Sequence, residues 1–432
     1  MKHAILFLLT GATALLNAQN PISPPGVYIA DPVARVWADG KMYIYGSLDE
    51  SPKYYCSYRY HVLSSSDLGS WTLHRNSFAS KGQGDEVSYS DSPLYAPDCM
   101  YRNGTYYLYY CLAGGGEGVA TSSSPAGPFT GGQPIKGVGS IDPAVFVDDD
   151  GQAYYFWGQF SAKGAKMKPD MKTIDESTVT DGIVTEKEHF FHEGGYMVKR
   201  NGIYYFVYAH MGRQDRPTCI GYSTSRSPLG PFEYGGVIID NSGCDPGVWN
   251  NHGSLVEFNG QWYVAYHRPT HACNTMRKAC IEPITFRPDG SIKEAPMTSQ
   301  GAGKPLKATE KIDAERACLM SGNTRIRLID GQPDNEELAC IHSGDRAAWK
   351  YIDYGKGVSR FTVRVRSQAG GQIDVASDTP WGASAGGLSV PAGSDWVTLT
   401  CDVNNLSGIR PLWLRFGGGE GDLFDIDWFV FE

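Results

Sequence analysis

The feature of this sequence that most constrains its fold is a hairpin signature that recurs five times. Each copy ends a turn with glycine and runs into an alternating, aromatic-rich strand, as Asn103-Gly104 runs into Thr-Tyr-Tyr-Leu-Tyr-Tyr. Asn-Gly and Asp-Gly are strong hairpin signals because such turns require positive φ. The five turn glycines are Gly40, Gly104, Gly151, Gly202 and Gly260.

The interval between successive copies accommodates four strands with their loops, which is the size of one β-propeller blade. Tyrosine (26 residues) and glycine (52 residues) are abundant, and both favour β structure with tight turns. We therefore predict an all-β chain that begins with a five-bladed β-propeller. A sandwich of unrelated hairpins is the alternative, and the regular spacing argues against it.

A second unit follows the repeats. Residues 298–310 are mostly small and polar, as in a linker. Short alternating strands such as Phe361–Arg366 come after it, and a segment of this length and pattern predicts a β-sandwich. The predicted domains are a catalytic propeller over residues 19–305 and a β-sandwich (jelly-roll) module over residues 306–432, tethered to each other.

The amino terminus has the pattern of a secretory signal peptide over residues 1–18. A short basic start precedes an apolar run from Ala4 to Leu16, and Ala18 is a small residue ahead of polar sequence. The apolar run is too short for a comfortable membrane-spanning helix. We therefore expect an exported protein, periplasmic or extracellular, with no membrane insertion.

Charge and cysteine content bear on partners and metals. The net charge is −9 and no basic run occurs, so a nucleic acid partner is not expected. The ten cysteines include no Cys-x-x-Cys pair, so their spacing fits no zinc template. In an exported protein this number predicts at least one disulfide, whose partners the sequence leaves open.

Acidic residues recur in register with the hairpin signature. Asp31, Asp142 and Glu193 each lie nine residues before a turn glycine, and His252 lies eight residues before the last one. Equivalent strands of all blades line the channel of a propeller, so these side chains should converge. Any one of these acids alone would suit a turn or cap, but a cluster of like charges is costly without a chemical role. Glycoside hydrolysis needs such a set, a carboxylic acid with a carboxylate.

Five short motifs carry a resemblance to a known family. They are Ala30-Asp31-Pro32, Tyr95-Ala96-Pro97-Asp98, Ser140-Ile141-Asp142-Pro143-Ala144, Glu193-Gly194-Gly195 and Asn251-His252-Gly253-Ser254. In this order and spacing they resemble glycoside hydrolase family 43, over about Pro21 to Pro296. The resemblance implies an inverting five-bladed propeller. It also implies that Asp31 is the general base, that Glu193 is the general acid, and that Asp142 orients this acid and tunes its protonation.

The same resemblance assigns three further residues to the site. Arg277 resembles an arginine that reaches the sugar, with a solvated loop charge as the alternative. Tyr95 stands where the family often has tryptophan, and it is expected in the pocket wall as a substrate-binding residue. His252 resembles a histidine that faces the channel, often beside a calcium ion or a water cluster. It is therefore a candidate for substrate binding and for calcium.

The second unit resembles carbohydrate-binding module family 6. The matching residues are Ile312–Glu315, Trp349–Gly355, Gly370–Asp374 and Leu423–Phe429. The resemblance implies a structural calcium held by Glu315 and Asp427. Trp349, Tyr351 and Trp381 are candidates for sugar stacking or for the core. Asp425 replaces a ligand-binding asparagine of many relatives, and an ionised carboxylate cannot donate a hydrogen bond.

These patterns favour an exo-acting, inverting glycoside hydrolase that releases terminal sugars from plant-type polysaccharides. The expected partner is an oligo- or polysaccharide substrate. An α-L-arabinofuranosidase is the first prediction. A β-xylosidase, a β-galactofuranosidase and a non-catalytic carbohydrate-binding propeller remain alternatives.

Overall fold

Strands account for almost all the regular structure, as the alternating aromatic sequence predicts. The computed structural model describes residues 19–432 except Gly212 and Gln214, so the predicted signal peptide lies outside the described residues. Within that part of the chain the only α-helix is Glu186–His189, and 3₁₀ turns span Glu176–Thr178 and Ala314–Arg316. The predicted all-β class is confirmed.

Five antiparallel sheets succeed one another along the first part of the chain. The first contains β1 (Ile29–Val36), β2 (Met42–Leu48), β3 (Arg59–Ser65) and β4 (Thr72–Ala79). The second contains β5 (Leu94–Arg102), β6 (Thr105–Leu112), β7 (Glu117–Ser122) and β8 (Thr130–Pro134). The third contains β9 (Ala144–Val147), β10 (Ala153–Trp157), β11 (Ser161–Lys166) and β12 (Thr180–Thr185). The fourth contains β13 (Phe191–Arg200), β14 (Ile203–His210), β15 (Cys219–Ser225) and β16 (Glu233–Asp240), and the fifth contains β17 (Ser254–Phe258), β18 (Gln261–Pro269) and β19 (Arg277–Pro283).

The repeated signature forms the turn between the first two strands of every sheet. In the three Asn-Gly copies both turn residues have positive φ, as at Asn103 (51°) and Gly104 (84°). In the other two copies the glycine alone has positive φ, and its N–H closes the turn on the carbonyl three residues back. The hairpins predicted at these five positions are confirmed.

The five sheets contact one another in a circuit. The first strands touch in the order β1, β5, β9, β13 and β17, and β17 in turn contacts β1. An apolar cluster fills the space between each pair of neighbouring sheets. These clusters include Val62 with Leu108, Tyr109 with Tyr155, Phe156 with Phe206, Val207 with Leu255, and Ile281 with Ile44. The packing brings the starts of the first strands together.

The rest of the chain forms a second β-rich unit after a short pair, β20 (Thr285–Phe286) and β21 (Ile292–Lys293). Its strands are β22 (Leu306–Lys307), β23 (Ile312–Asp313), β24 (Leu319–Met320), β25 (Arg325–Ile329), β26 (Gln332–Ala339), β27 (Arg346–Asp353), β28 (Val358–Ser367), β29 (Gly371–Ser377), β30 (Ser384–Val390), β31 (Gly393–Leu406), β32 (Ile409–Gly417) and β33 (Asp425–Phe431). One six-stranded sheet runs β22-β27-β32-β29-β30 with β24 beside β27, and the other runs β25-β26-β33-β28-β31 with β23 beside β33. Trp349, Phe361 and Phe429 belong to a single apolar core that both sheets share.

The segment predicted as a tether is packed. Thr298 and Ser299 are buried, and Thr298 Oγ1 donates a hydrogen bond to Glu282 Oε2 at 2.8 Å. The N–H of Ser299 donates to the carbonyl of Lys350 in the second unit at 2.6 Å. Small polar residues resemble a flexible linker in composition, but here their polar groups have partners inside the protein. The second unit is therefore docked on the first.

The expected disulfide is wrong, because all ten cysteines are free and lie in the described part of the chain. Eight of them are buried, where a thiol behaves as a small apolar side chain. No helix among residues 19–432, apart from the two undescribed positions, is long and apolar enough to cross a membrane.

Candidate active site

A cavity of about 500 Å³ opens where the first strands of the sheets converge. Its lining contains every residue of the first unit that the sequence predicts for the site: Asp31, Tyr95, Asp142, Glu193, His252 and Arg277. The other lining residues are Tyr55, Cys56, Ala96, Ile141, Gln159, Phe160, His192, Trp249 and Asn250. Carboxylates therefore meet aromatic walls in one pocket, as in many ligand sites.

The register of the repeats explains this convergence. Asp31 lies in β1 and Glu193 in β13, whereas Asp142 and His252 lie just before β9 and β17. Asp31 and Asp142 each precede proline and have φ of 51° and 63°, a region that non-glycine residues rarely occupy. The same unusual backbone conformation in two sheets places both carboxyl groups in the cavity.

Asp31 is buried in a cationic, hydrogen-bonding environment. Arg277 Nη1 donates to its Oδ1 at 2.8 Å, and Ser47 Oγ donates to its Oδ2 at 2.6 Å. The Nδ1 atoms of His267 and His252 lie 3.4 and 3.6 Å from Oδ1. Burial alone would raise the pKa of Asp31, but Arg277, the two histidines and Ser47 outweigh it and lower the pKa to about 2. Asp31 is therefore a carboxylate at neutral pH.

Asp142 is buried in the opposite electrostatic setting. Burial raises its pKa well above the ordinary value, and the charges of Glu193, Asp31 and Glu117 raise it further. A backbone hydrogen bond from Gly194 opposes these effects only in part. Asp142 therefore keeps its proton to higher pH than an exposed aspartate does. The raised pKa lies on Asp142, the residue that was expected only to tune its neighbour.

Glu193 lies at the more open side of the pocket. Gln159 Nε2 donates to its Oε2 at 2.8 Å, and Asn250 Nδ2 lies 3.4 Å from its Oε1. His192 Nε2 is 3.9 Å from Oε2. The carboxyl group thus has neutral donors beside it and remains accessible to a ligand in the cavity.

Arg277 is a buried ion-pair partner rather than a solvated loop charge. Its Nε and Nη2 donate to the two oxygens of Asp49 at 2.9 and 3.0 Å, and its Nη1 donates to Asp31. The ring of Tyr55 lies 5.0 Å from the guanidinium carbon. Since both ends of the planar group are held, Arg277 has a fixed orientation in the cavity.

Several functional contacts escaped the sequence analysis. Ser47 pairs with Ala30 across the β1–β2 ladder, and Asp49 directly follows β2. The register of this hairpin would have placed both near Asp31. Gln159 and Asn250 lie in irregular segments, where no repeat offset marks them.

His252 is packed against the backbone of Gly194. A Cβ at residue 194 would lie 2.6 Å from His252 Nε2, and Gly194 has φ of 66°. Glycine in the Glu193-Gly194 motif is therefore required by the close approach of the imidazole. Burial lowers the pKa of His252, so its ring is neutral at neutral pH.

The residues present do not fit calcium at either predicted position. At His252 the imidazole supplies nitrogen where calcium prefers several oxygens, and the nearby Asp31 carboxylate already accepts from Arg277 and Ser47. In the second unit, Glu315 keeps a buried oxygen without a partner. Asp427, however, already pairs with Arg364 and accepts from Asn335 Nδ2 at 3.1 Å. Among the described residues no group of three or more His, Cys, Asp or Glu side chains is arranged to hold a metal.

The candidate sugar-stacking residues of the second unit differ in how much of each side chain is exposed. Trp349 is fully buried and meets Phe429 edge to face, so it belongs to the core. Trp381 is 78% exposed, with the Arg346 guanidinium 4.1 Å from its ring. Asp425 Oδ2 forms ion pairs with Arg327 Nη2 at 2.8 Å and with Arg366 Nη2 at 3.1 Å.

Two of three similar glycosidases match more than nine-tenths of this chain, and the third matches its first part. An arabinoxylan arabinofuranohydrolase of Bacillus subtilis (strain 168) is 31% identical over 93% of this chain and 90% of its own length. A xylosidase/arabinosidase of Thermoclostridium stercorarium is 30% identical over 92% of this chain and 96% of its own length. A β-xylosidase of Xylanibacter ruminicola is 30% identical, over 62% of this chain and 97% of its own length.

Solved structures agree with these relationships. A crystal structure of a Bacillus subtilis arabinoxylan arabinofuranohydrolase in complex with cellotetraose has a TM-score of 0.55 and 30% identity, covering 96% of this chain and 97% of that one. A β-xylosidase/α-arabinofuranosidase from a compost microbial metagenome, a calcium-free form with xylotriose, has a TM-score of 0.54 and 31% identity. It covers 64% of this chain and 98% of its own.

Two families match consecutive parts of the sequence. Residues 313–432 match carbohydrate binding module (family 6), and residues 18–292 match glycosyl hydrolases family 43. The chain therefore belongs to family 43 of the glycosyl hydrolases and is an inverting glycoside hydrolase with a family 6 carbohydrate-binding module.

Proposed function

We propose that this enzyme is an exo-acting α-L-arabinofuranosidase that removes terminal arabinofuranose from plant polysaccharides such as arabinoxylan. The observation that carries the proposal is the cavity in which an ionised Asp31 lies with Asp142, whose pKa is raised, and with Glu193. The names of relatives that span most of the chain support arabinofuranose as the sugar. We also propose that residues 1–18 act as a signal peptide that directs export to the periplasm or the medium.

The proposed architecture is a five-bladed propeller over residues 19–305 and a jelly-roll module over residues 306–432. The closed circuit of first strands and the five clusters between sheets support the propeller. The two sheets around one core support the module. A central pocket of this kind accepts the end of a chain, which is what exo action requires.

The proposed chemistry assigns one role to each acid. Asp31 takes a proton from water, whose oxygen bonds to the anomeric carbon. Glu193 gives its proton to the glycosidic oxygen as the carbon–oxygen bond breaks, so the product sugar has the inverted configuration. Asp142 stays protonated beside Glu193, because burial and the neighbouring charges raise the pKa of Asp142, and it orients this acid.

The aromatic walls suit a terminal sugar. Tyr55, Tyr95, Phe160 and Trp249 line the same cavity as the acids. Rings of this kind stack on the apolar faces of sugars, and a pocket of this size encloses a small ligand. We propose that they hold the terminal residue while the polymer extends into solvent.

A panel of p-nitrophenyl glycosides tests the sugar assignment. We expect kcat/KM to be highest for the α-L-arabinofuranoside, above the β-D-xylopyranoside and the β-D-galactofuranoside. A higher value for the xyloside would favour the β-xylosidase alternative, which the name of one relative supports. Binding of arabinoxylan without hydrolysis of any glycoside would contradict the enzyme itself. Asp31→Asn serves as the inactive control.

A further inference from the structure

A carboxylate of the C-terminal module lies directly behind the active-site cavity. Glu336, on β26, accepts a hydrogen bond on Oε2 from Lys278 Nζ at 2.7 Å, and the side chains of these residues are only 2% and 1% exposed. Its Oε1 accepts from the backbone N–H of Gly26 at 3.0 Å. Lys278 also donates to the carbonyl of Pro24 at 3.1 Å. The ion pair is shielded, so water cannot replace either partner.

The two segments that Glu336 binds carry the two partners of a catalytic-site ion pair. Lys278 follows Arg277 on β19, and strand alternation directs their side chains to opposite faces. Gly26 lies in the segment that leads into β1, the strand that carries Asp31. Arg277 and Asp31 meet at 2.8 Å. One carboxylate of the module thus connects both halves of this pair from behind.

Further contacts of the module support the same side of the cavity. The N–H of Met320 donates to the carbonyl of Gly243 at 3.1 Å, and the N–H of Ile326 donates to the carbonyl of Thr270 at 2.8 Å. Gly243 begins the loop that ends in Trp249 and Asn250, both of which line the cavity. The module therefore contacts the loop and strand segments from which active-site residues project.

We propose that Glu336 is a positioning residue for catalysis, holding together the segments that carry Arg277 and Asp31, so that the module completes the active site. The inference rests on the proposed role of Asp31 as the base. It gives the module a function that differs from binding polysaccharide at the end of a tether.

We expect removal of the Glu336 charge to change the ionisation of Asp31. Without that charge, the buried Lys278 ammonium keeps only neutral acceptors such as the Pro24 carbonyl, so we expect it to shift toward water and to displace the adjoining Arg277. Displacements of about 1 Å at a reacting group cost up to about 100-fold in rate. The substitution does not alter the other titratable and polar groups around Asp31, which are Ser47, Asp49, Tyr55, Cys56, His252, His267, Asp142 and Glu193. A shift in Asp31 ionisation would then report the position of Arg277.

The test compares Glu336→Gln with Glu337→Gln in the full chain. Glu337 is the adjacent buried carboxylate, and its partners Arg327 and Arg366 lie inside the module. The measurement is kcat/KM against pH on an aryl glycoside that the wild type hydrolyses. We expect Glu336→Gln to lower kcat/KM by about 10- to 100-fold and to move the acid limb to higher pH, whereas Glu337→Gln keeps the wild-type limb. Equal limbs in the two variants would overturn the inference.

A shorter carboxylate covers the case in which Glu336→Gln does not fold. Glu336→Asp keeps the charge but withdraws it by one methylene, and we expect a smaller shift of the acid limb in the same direction. A folded Glu336→Asp enzyme with the wild-type limb would overturn the inference.

Asp31→Asn distinguishes a failure of the proposed base from a failure of the proposed role of the module. If it retains activity, the proposed base is wrong. If it is inactive and Glu336→Gln behaves like Glu337→Gln, only the role of the module is wrong.

Discussion

At the scale of single residues, the cavity gives three carboxyl groups three different surroundings. Arg277 and two histidines hold the pKa of Asp31 at about 2, against the effect of burial. Burial and neighbouring charge raise the pKa of Asp142. Glu193 is more open and has neutral hydrogen-bond donors at both oxygens. Separate environments for neighbouring carboxyl groups are how one site provides both a base and an acid.

The raised pKa of Asp142 predicts a specific pH effect. Asp142→Asn removes this titrating group and preserves side-chain size. In the wild type a proton stays at this position up to the raised pKa of Asp142, and the variant has no such group. The alkaline limb of kcat/KM against pH should therefore move to lower pH. A limb that stays in place, with a reduced rate, would instead make Asp142 a direct ligand of the sugar.

At the scale of elements, the irregular start of β13 brings an acid and a histidine together. The ladder between β13 and β14 shifts register around Glu193 and again before Tyr196. Gly194 lies inside this bulge, where its missing side chain leaves room for His252. A bulge that redirects a side chain is common beside active sites.

Substitution of this glycine tests the packing. Gly194→Ala adds a Cβ at 2.6 Å from the imidazole, whereas Gly182→Ala meets its nearest atom at 3.8 Å with a similar φ of 71°. Both variants should lose about 1–2 kcal/mol of unfolding free energy from the backbone alone. Chemical denaturation should show a larger loss for Gly194→Ala, which should also lower kcat/KM. Equal stability and activity in the two variants would contradict the proposed contact.

At the scale of the whole molecule, sequence reasoning succeeded where the signal was local and periodic. The turn glycines predicted five hairpins, and a fixed offset from them predicted that Asp31, Asp142 and Glu193 would converge. Long-range contacts could not be predicted in this way, because no spacing rule reveals them. Arg277 and Asp49 are 228 positions apart in the sequence, and Gly26 and Glu336 are 310 positions apart. Composition also misled at Thr298 and Ser299, because small polar residues fit a buried, hydrogen-bonded position as well as a tether.

The central claim is that Glu193 is the acid of this site. The most direct test is how the activity lost in Glu193→Gln depends on the leaving group of the substrate. The measurement is kcat for Glu193→Gln and wild type on an arabinoxylan oligosaccharide and on a p-nitrophenyl arabinofuranoside. The oxygen of a natural sugar leaving group needs a proton to depart, whereas p-nitrophenolate leaves without one. We expect a loss of about 1,000-fold on the oligosaccharide and about tenfold or less on the aryl glycoside. Equal losses on the two substrates, in a variant that keeps the wild-type circular dichroism spectrum, would contradict the assignment of Glu193.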